Sequence, residues 1–112
     1  MLAKVENILK AIFEQGNKVF PCGINDAYLY GSYARNDYDD ESGIDILLTV
    51  GLDYLEISKY RSKISEIASD LSLENDVLVS VAIKPLKQFR RYSSVLPYYQ
   101  NVLKEGVRYA GI

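Results

Sequence analysis

The stretch YGSYARNDYDDESGIDILLTV, residues 30–50, decides the fold of this chain. It places a Gly-Ser pair, an Arg and an acidic loop directly before a segment in which every second residue is apolar. Such alternation is typical of a β-strand, and the apolar face would consist of Ile44, Ile46, Leu48 and Val50. The other face carries a single carboxylate, that of Asp45. We therefore predict a strand with one acidic side chain close to a Gly-Ser turn.

Segments on either side extend this strand into a sheet. DAYLYGS predicts a short strand that ends at the Gly-Ser pair, and VLVSVAI, residues 77–83, predicts another. An apolar stripe between the strand that ends at Val50 and the strand of residues 77–83 predicts one long helix. The stripe consists of Leu52, Leu55, Tyr60, Ile64, Ile67 and Leu71. A strand, a helix and a second strand form a crossover unit, which favours neighbouring parallel strands or a mixed sheet.

Helical patterns also lie at both ends of the sequence. An amphipathic stripe begins at Leu2 and predicts a first helix that stops near Gly16. After Pro85, KQFRRY predicts a short helix, PYYQNVLKEG a last one, and VRYAG an additional strand. We predict a single α/β domain over residues 1–112, with a small mixed sheet of three to four strands flanked by helices.

Composition excludes several classes of chemistry. The 112 residues contain one Cys and no His, so a disulfide framework, a Cys/His zinc site and a His base are excluded within one chain. The net charge is −2 and the pI about 5.1, which argues against general attraction to nucleic acid. We find neither an apolar run long enough for a membrane span nor a signal-peptide pattern. We therefore expect a cytoplasmic protein without membrane contact.

The Gly-Ser turn and the aspartate together suggest a phosphate site. If Ser32 caps a helix that begins at Tyr33, free backbone N–H groups and a hydroxyl would face a phosphate, and Gly31 would allow close approach. Alone, this pair is more typical of an ordinary turn and cap. Asp45 could hold a divalent cation against such phosphates, and an acid two residues earlier would share its face. That position is Gly43, so the pair of acids is half present.

Gly-Ser-x-Ala-Arg, followed about ten residues later by an Asp on a strand, resembles the DNA polymerase β-like nucleotidyltransferases. The chain is most similar to the minimal nucleotidyltransferase (MNT) domains of bacteria and archaea, over most of its length. The resemblance implies a polymerase β palm-like fold, with Gly31 and Ser32 on the nucleotide phosphates and Asp45 as the catalytic magnesium ligand. Arg35 would hold a phosphate or orient Asp45. The implied reaction is Mg²⁺-dependent transfer of AMP from ATP to a protein or nucleic-acid hydroxyl.

The chain departs from this family at two positions. Such enzymes usually have Ser-Asp-Ile-Asp where this chain has Ser-Gly-Ile-Asp, and they carry a third carboxylate on the strand that VLVSVAI matches. Magnesium would then be coordinated mostly by ATP and water, so we expect weak metal binding and slow or absent turnover. Acids in the loops, from Asp37 to Glu41 and at Glu74, are more typical of solvated turns. Asp76 is the best candidate for a displaced third acid.

Three functions remain open from the sequence. The first is nucleotidyl transfer, which in MNT proteins is often an antitoxin activity directed at a HEPN-domain toxin. The second is a catalytically inactive nucleotide-binding or partner-binding subunit, in which Tyr98, Tyr99 and Tyr109 line an interface or a homodimer contact, although packing over the sheet is the more common role. The third is nucleic-acid binding by a basic segment with two stacking groups, where a solvated basic helix is the commoner alternative. The residues concerned are Lys84, Lys87, Arg90 and Arg91, with Phe89 and Tyr92.

Overall fold

The computed structural model describes residues 2–109, which form six helices and four strands. The helices are α1 (Ala3–Val19), α2 (Ser32–Arg35), α3 (Tyr54–Ser58), α4 (Arg61–Asn75), α5 (Leu86–Tyr92) and α6 (Pro97–Glu105). The strands are β1 (Asp26–Tyr30), β2 (Ile44–Val50), β3 (Val79–Pro85) and β4 (Val107–Arg108). Within residues 2–109, helices long and apolar enough to cross a membrane are absent.

The four strands form one mixed sheet, as the sequence predicts, and their order in the sheet is β3-β2-β1-β4. β2 pairs with β3 in parallel through the crossover, and β1 pairs antiparallel with both β2 and β4. The register places Tyr30 opposite Asp45 on one side and Ser80 beside Asp45 on the other. The predicted additional strand is confirmed at its first two residues, whereas Ala110 and Gly111 lie outside the described residues.

The two faces of β2 pack against different layers of helices. The face predicted to be apolar is fully buried against α1 and α4, where each buried Leu or Ile contributes about 1.5–3 kcal/mol. On the opposite face, Leu47 packs with Phe89 of α5 and with Tyr99 and Val102 of α6. Asp45 lies on this second face, two residues before Leu47. The polar end of β2 is therefore positioned by two cores, one on each side of the sheet.

The predicted long helix is wrong, because the segment forms two helices, α3 and α4. A capping box between Asp53 and Glu56 begins the first helix, and the chain tightens into shorter-range hydrogen bonds at its end. This break buries Ile57 and turns the ring of Tyr60 onto Phe20, with centroids 5.6 Å apart. Leu55 then points to solvent with 77% exposure, so it does not belong to the apolar stripe.

The predicted end of the first helix near Gly16 is also wrong, since α1 continues to Val19. Gly16 is buried inside the helix, and a Cβ atom there would lie 2.5 Å from Cδ1 of Ile24. Close packing, rather than helix termination, therefore explains this glycine. Leu2 precedes the helix and is half exposed, and β3 begins at Val79 instead of residue 77.

Candidate nucleotide site

The turn after β1 is built on a glycine in a backbone conformation that other residues rarely adopt. Gly31 has φ 78° and ψ −157°, and its carbonyl accepts hydrogen bonds from the N–H groups of Ala34 (3.1 Å) and Arg35 (3.0 Å). Gly31 is thus the N-cap of α2, and Ser32 is its first helical residue, which corrects the prediction that Ser32 is the cap. The N–H groups at the start of such a helix lack partners within it.

The carboxylate of Asp45 packs directly on this turn. A Cβ atom on Gly31 would lie 2.5 Å from Oδ2 of Asp45 and 3.5 Å from its carboxyl carbon, so only glycine leaves room for the acid. The antiparallel pairing of β1 with β2 produces this contact, because Tyr30 lies opposite Asp45. The structure therefore brings together the two halves of the predicted site.

Charge around Asp45 is balanced by one guanidinium at a distance. Partial burial raises the pKa of Asp45, and the positive charge of Arg35 lowers it by a smaller amount. Arg35 itself forms ion pairs with Asp37 (Nε to Oδ2, 3.1 Å) and with Glu105 of α6 (Nη1 to Oε2, 3.6 Å). It thus holds α2 against α6 and acts on Asp45 only through space.

A pair of tyrosines beside Asp45 was not predicted as part of the site. The hydroxyl of Tyr98 donates to that of Tyr30 over 2.9 Å, and the two rings meet edge to face with centroids 5.6 Å apart. Burial raises the pKa of both phenols, and the negative charge of Asp45 adds to the increase. Both hydroxyls therefore stay protonated next to the carboxylate. Pairing of β1 with β2 could have indicated Tyr30, but Tyr98 comes from a distant helix without a local signal.

The predicted tyrosine interface is largely wrong, and the packing alternative is confirmed. Tyr99 is 3% exposed and packs on Phe89, with ring centroids 5.1 Å apart. Tyr109 is partly buried against Phe13, with centroids 5.3 Å apart. Tyr98 alone of the three is substantially exposed, at 39%.

Beside Asp45, the positions at which the family has further acids carry none. Gly43 precedes β2, and a Cβ atom there would lie 3.2 Å from the carbonyl oxygen of Leu78 and 3.5 Å from its Cβ. Ser80, next to Asp45 on β3, is exposed. The backbone of Gly43 avoids the left-handed region, so a side chain fits there after a small shift of Leu78.

The loop acids do not replace the missing carboxylates. Asp37 pairs with Arg35, and Oδ1 of Asp39 accepts from the N–H of Glu41 (2.9 Å) and from the hydroxyl of Ser42 (3.2 Å), which closes the loop on itself. Asp76 ends α4 in a left-handed conformation and does not contribute to the pKa shift of Asp45. Between residues 2 and 109, groups of three or more acidic, Cys or His side chains arranged to hold a metal are absent.

One carboxylate suits a particular kind of metal binding. Mg²⁺ is usually held by one or two carboxylates together with substrate phosphates and water, rather than by a protein cage. Asp45 on the Gly31 turn fits an ion that arrives with a triphosphate. The same residues do not fit a metal ion held by protein ligands alone.

The basic segment of α5 does not form the stacking surface considered for nucleic acid. Phe89 is 4% exposed and belongs to the core, so it cannot stack on a base. A groove of about 680 Å³ beside α5 is lined by Lys87, Arg90 and Arg91, but also by Asp53 and Glu56. It lies at the far end of β2 from Asp45, and its charges partly cancel.

Comparison with known proteins agrees with this geometry. The family described as Polymerase beta, Nucleotidyltransferase matches residues 7–94, which include both the Gly31 turn and Asp45. The chain belongs to this family. A Methanocaldococcus jannaschii protein, MJ0141, provisionally named a protein adenylyltransferase, is 35% identical to this family member over 80 residues, which cover 71% of this chain and 79% of MJ0141.

Solved structures of similar fold include free and complexed proteins. A provisionally named nucleotidyltransferase from Sulfolobus solfataricus has a TM-score of 0.63 and 24% identity, covering 94% of this chain and 78% of its own. A toxin–antitoxin complex with AMP-PNP has a TM-score of 0.59 and 25% identity, covering 92% of this chain and 70% of its own. A complex of tri-AMPylated Shewanella oneidensis HEPN toxin with MNT antitoxin gives 0.52 and 22%, with coverage of 93% and 67%. These likenesses support the nucleotidyltransferase fold of this family member.

Proposed function

We propose that this protein binds ATP with Mg²⁺ over the Gly31 turn and transfers AMP to a hydroxyl group of a protein, with release of pyrophosphate and the hydroxyl proton. The observation that supports the proposal is the packing of the Asp45 carboxylate on the Gly31 backbone, which brings the proposed metal ligand to the start of α2. Family membership and the name of MJ0141 support adenylyl transfer. The similar complex with AMP-PNP supports an adenine nucleotide as substrate.

Each residue of the site has a distinct role in this proposal. Gly31 permits close approach of the phosphates, and the N–H groups at Ser32 and Tyr33 bind them. Arg35 adds positive charge, and Asp45 holds the Mg²⁺, which when bound neutralises charge on the triphosphate. The phenols of Tyr30 and Tyr98 stay protonated, and since Tyr98 donates to Tyr30, the hydroxyl of Tyr30 is the donor left for a ligand. Without a second acid, the acceptor hydroxyl lacks a base beside Asp45, so we expect slow turnover.

A HEPN-domain toxin is the proposed partner and acceptor. Support comes from the similar complexes, one of which joins an AMPylated HEPN toxin to an MNT antitoxin. In this proposal the protein acts as the antitoxin, in the cytoplasm, and residues 1–112 work as one domain. Homodimerisation stays a prediction. The alternative to a transferase is a catalytically inactive nucleotide-binding or partner-binding subunit, which ATP titration distinguishes from it.

Calorimetric titration of ATP with and without Mg²⁺ tests the proposal, in the native protein and in Gly43→Asp. Gly43 lies two residues before Asp45 on the same face, so the variant adds the missing acid. We expect Mg²⁺-dependent binding in the native protein and about tenfold tighter binding in the variant. The matched control is Gly51→Asp, which adds the same charge at the other end of β2, where only Asn25 comes near, at 3.9 Å. It should bind like the native protein.

The outcomes separate the two roles of the site. If neither the native protein nor Gly43→Asp binds ATP, the assignment of the nucleotide site is wrong. If ATP binds only in Gly43→Asp, the native chain is an inactive subunit and the transferase proposal fails. If the native protein binds ATP, incubation with radiolabelled ATP and a candidate HEPN protein must yield labelled partner, and the absence of label with several such proteins would reject AMP transfer.

A further inference from the structure

A second groove opens at the end of the sheet where β2 and β3 begin. It has a volume of about 780 Å³ and lies between the start of α1, the loop of residues 38–42 and the end of α4. We call it the acidic groove. Its floor includes Leu78, and Tyr33 of α2 forms part of its wall. The nucleotidyltransfer proposal does not use it.

The acidic groove is lined by three exposed leucines. Leu73 is 84% exposed, Leu78 is 68% exposed and Leu2 is 46% exposed, and all three line it. The rings of Tyr33 and Tyr38 stack beside them with centroids 4.3 Å apart. Exposed leucines and tyrosines that line one concave surface together with charged residues give it the composition of a binding surface for another protein.

Charge selects the kind of polypeptide that fits. Four exposed carboxylates line the groove, those of Asp39, Asp40, Glu41 and Asp76, against a single ammonium, that of Lys4. This field repels the phosphates of a nucleic acid and attracts Lys and Arg side chains. Apolar floor and acidic rim together complement a cationic segment with aliphatic residues.

The acidic groove borders the start of the strand that carries Asp45. Ser42 and Leu78 line it, and they flank Gly43, which lies two residues before Asp45. Two residues of extended chain span roughly 7 Å. Tyr33, at the start of α2, belongs to the groove wall and to the proposed phosphate turn. A polypeptide in the groove therefore lies next to α2 and to the start of the strand that carries Asp45.

We propose that the acidic groove binds the acceptor protein through a segment rich in aliphatic residues and in Lys or Arg, and so brings its hydroxyl to the nucleotide. Delivery of the hydroxyl rests on the proposed function, whereas docking of the segment does not. The leucines provide the apolar contact, and the acids of the rim fix the sign of the partner's charge.

Amide chemical-shift mapping by NMR tests the docking without any nucleotide. The probe is a short synthetic peptide in which pairs of Leu alternate with pairs of Lys, and its control has Glu in place of each Lys. We expect the cationic peptide to shift the amides of Tyr33, Ser42, Leu73 and Leu78, and the acidic peptide to leave them unchanged. Shifts centred on α5 and α6, or equal shifts with both peptides, would overturn the proposal.

Two variants measure the apolar and the charged contributions separately. Leu73→Asn removes an exposed side chain, and we expect about three- to tenfold weaker peptide binding. Its matched control, Leu55→Asn, changes a leucine of similar exposure away from the groove and should have no effect. The double variant Asp40→Lys with Glu41→Lys should reverse the preference to the acidic peptide. Unchanged preference in the double variant would contradict the charge argument.

The same samples distinguish failure of the docking from failure of the proposed function. If ATP binds but the cationic peptide does not, the docking inference is wrong and the nucleotide site stands. If the peptide binds in the groove but ATP does not bind, the docking inference stands without the transferase. A single-stranded oligonucleotide serves as a further probe, and its binding in the groove would overturn the choice of a protein partner.

Discussion

Replacing Gly31 with Ala should damage the fold and the nucleotide site together. The backbone of Gly31, with φ 78° and ψ −157°, lies in a region that is nearly exclusive to glycine, and an alanine there costs about 1–3 kcal/mol. The new Cβ would also lie 2.5 Å from Oδ2 of Asp45, so the carboxylate must rotate away. We expect a loss of about 2–3 kcal/mol in the free energy of unfolding and the loss of Mg²⁺-dependent ATP binding.

Urea denaturation and ATP calorimetry measure the two effects. Gly51→Ala is the control, because Gly51 is exposed and a Cβ atom there has only Asn25 nearby, so its stability should stay within about 0.5 kcal/mol of the native value. In an Asp45→Ala background the clash disappears and only the backbone cost remains, so Gly31→Ala should then be less destabilising. If Gly31→Ala matches Gly51→Ala in stability and still binds ATP with Mg²⁺, the described contact is refuted.

Three further predictions concern the fold. Leu47→Ala should cost about 2–5 kcal/mol in urea denaturation because the side chain is fully buried, whereas Leu55→Ala should stay within about 0.5 kcal/mol; equal losses would contradict the division into α3 and α4. Gly106→Ala should cost about 1–3 kcal/mol, since its Cβ would strike carbonyl oxygens of Val102 and Leu29, and a native melting temperature would disprove this packing. Burial, and after it a hydrogen bond with another tyrosine, raises the pKa of Tyr99 from 10.0 to about 12, so the folded state holds this proton more tightly than the unfolded state. The resulting stability is present below pH 10 and should be lost as the pH rises towards 12. In thermal melts Tyr99→Phe should reduce this loss, and an unaltered pH profile would contradict the prediction.

The sheet was predictable because its strands carry strong local patterns. Alternation from Ile44 to Val50 identifies β2, and the Gly-Ser break identifies the end of β1. The contact between Gly31 and Asp45 lies beyond such patterns, since it depends on antiparallel register between two strands. The spacing of the Gly-Ser pair and Asp45 in the sequence indicates which residues form the site. Their geometry follows from the pairing of β1 with β2.

The errors arose where one signal had two physical meanings. In the sequence Gly16 indicates a helix stop, although a buried glycine also allows two apolar elements to approach closely. The apolar pattern that includes Leu55 favours one long helix. The Asp-x-x-Glu capping box at Asp53 instead indicates that a separate helix begins there. Tyr98 reaches the site from 68 residues beyond Tyr30, a distance over which local patterns carry no information.

The edge position of β4 bears on how the molecule is made. β1, which leads into the Gly31 turn, gains its second strand partner only from Val107 and Arg108, and Arg108 holds Asp26 across 82 residues with a contact of 2.7 Å. During synthesis β2 and β3 leave the ribosome long before β4, so one edge of β1 stays unpaired until β4 has been made. Contacts so distant along the chain close slowly. A growing chain can therefore bury its hydrophobic strands well before the strand that leads into the Gly31 turn is paired on both edges.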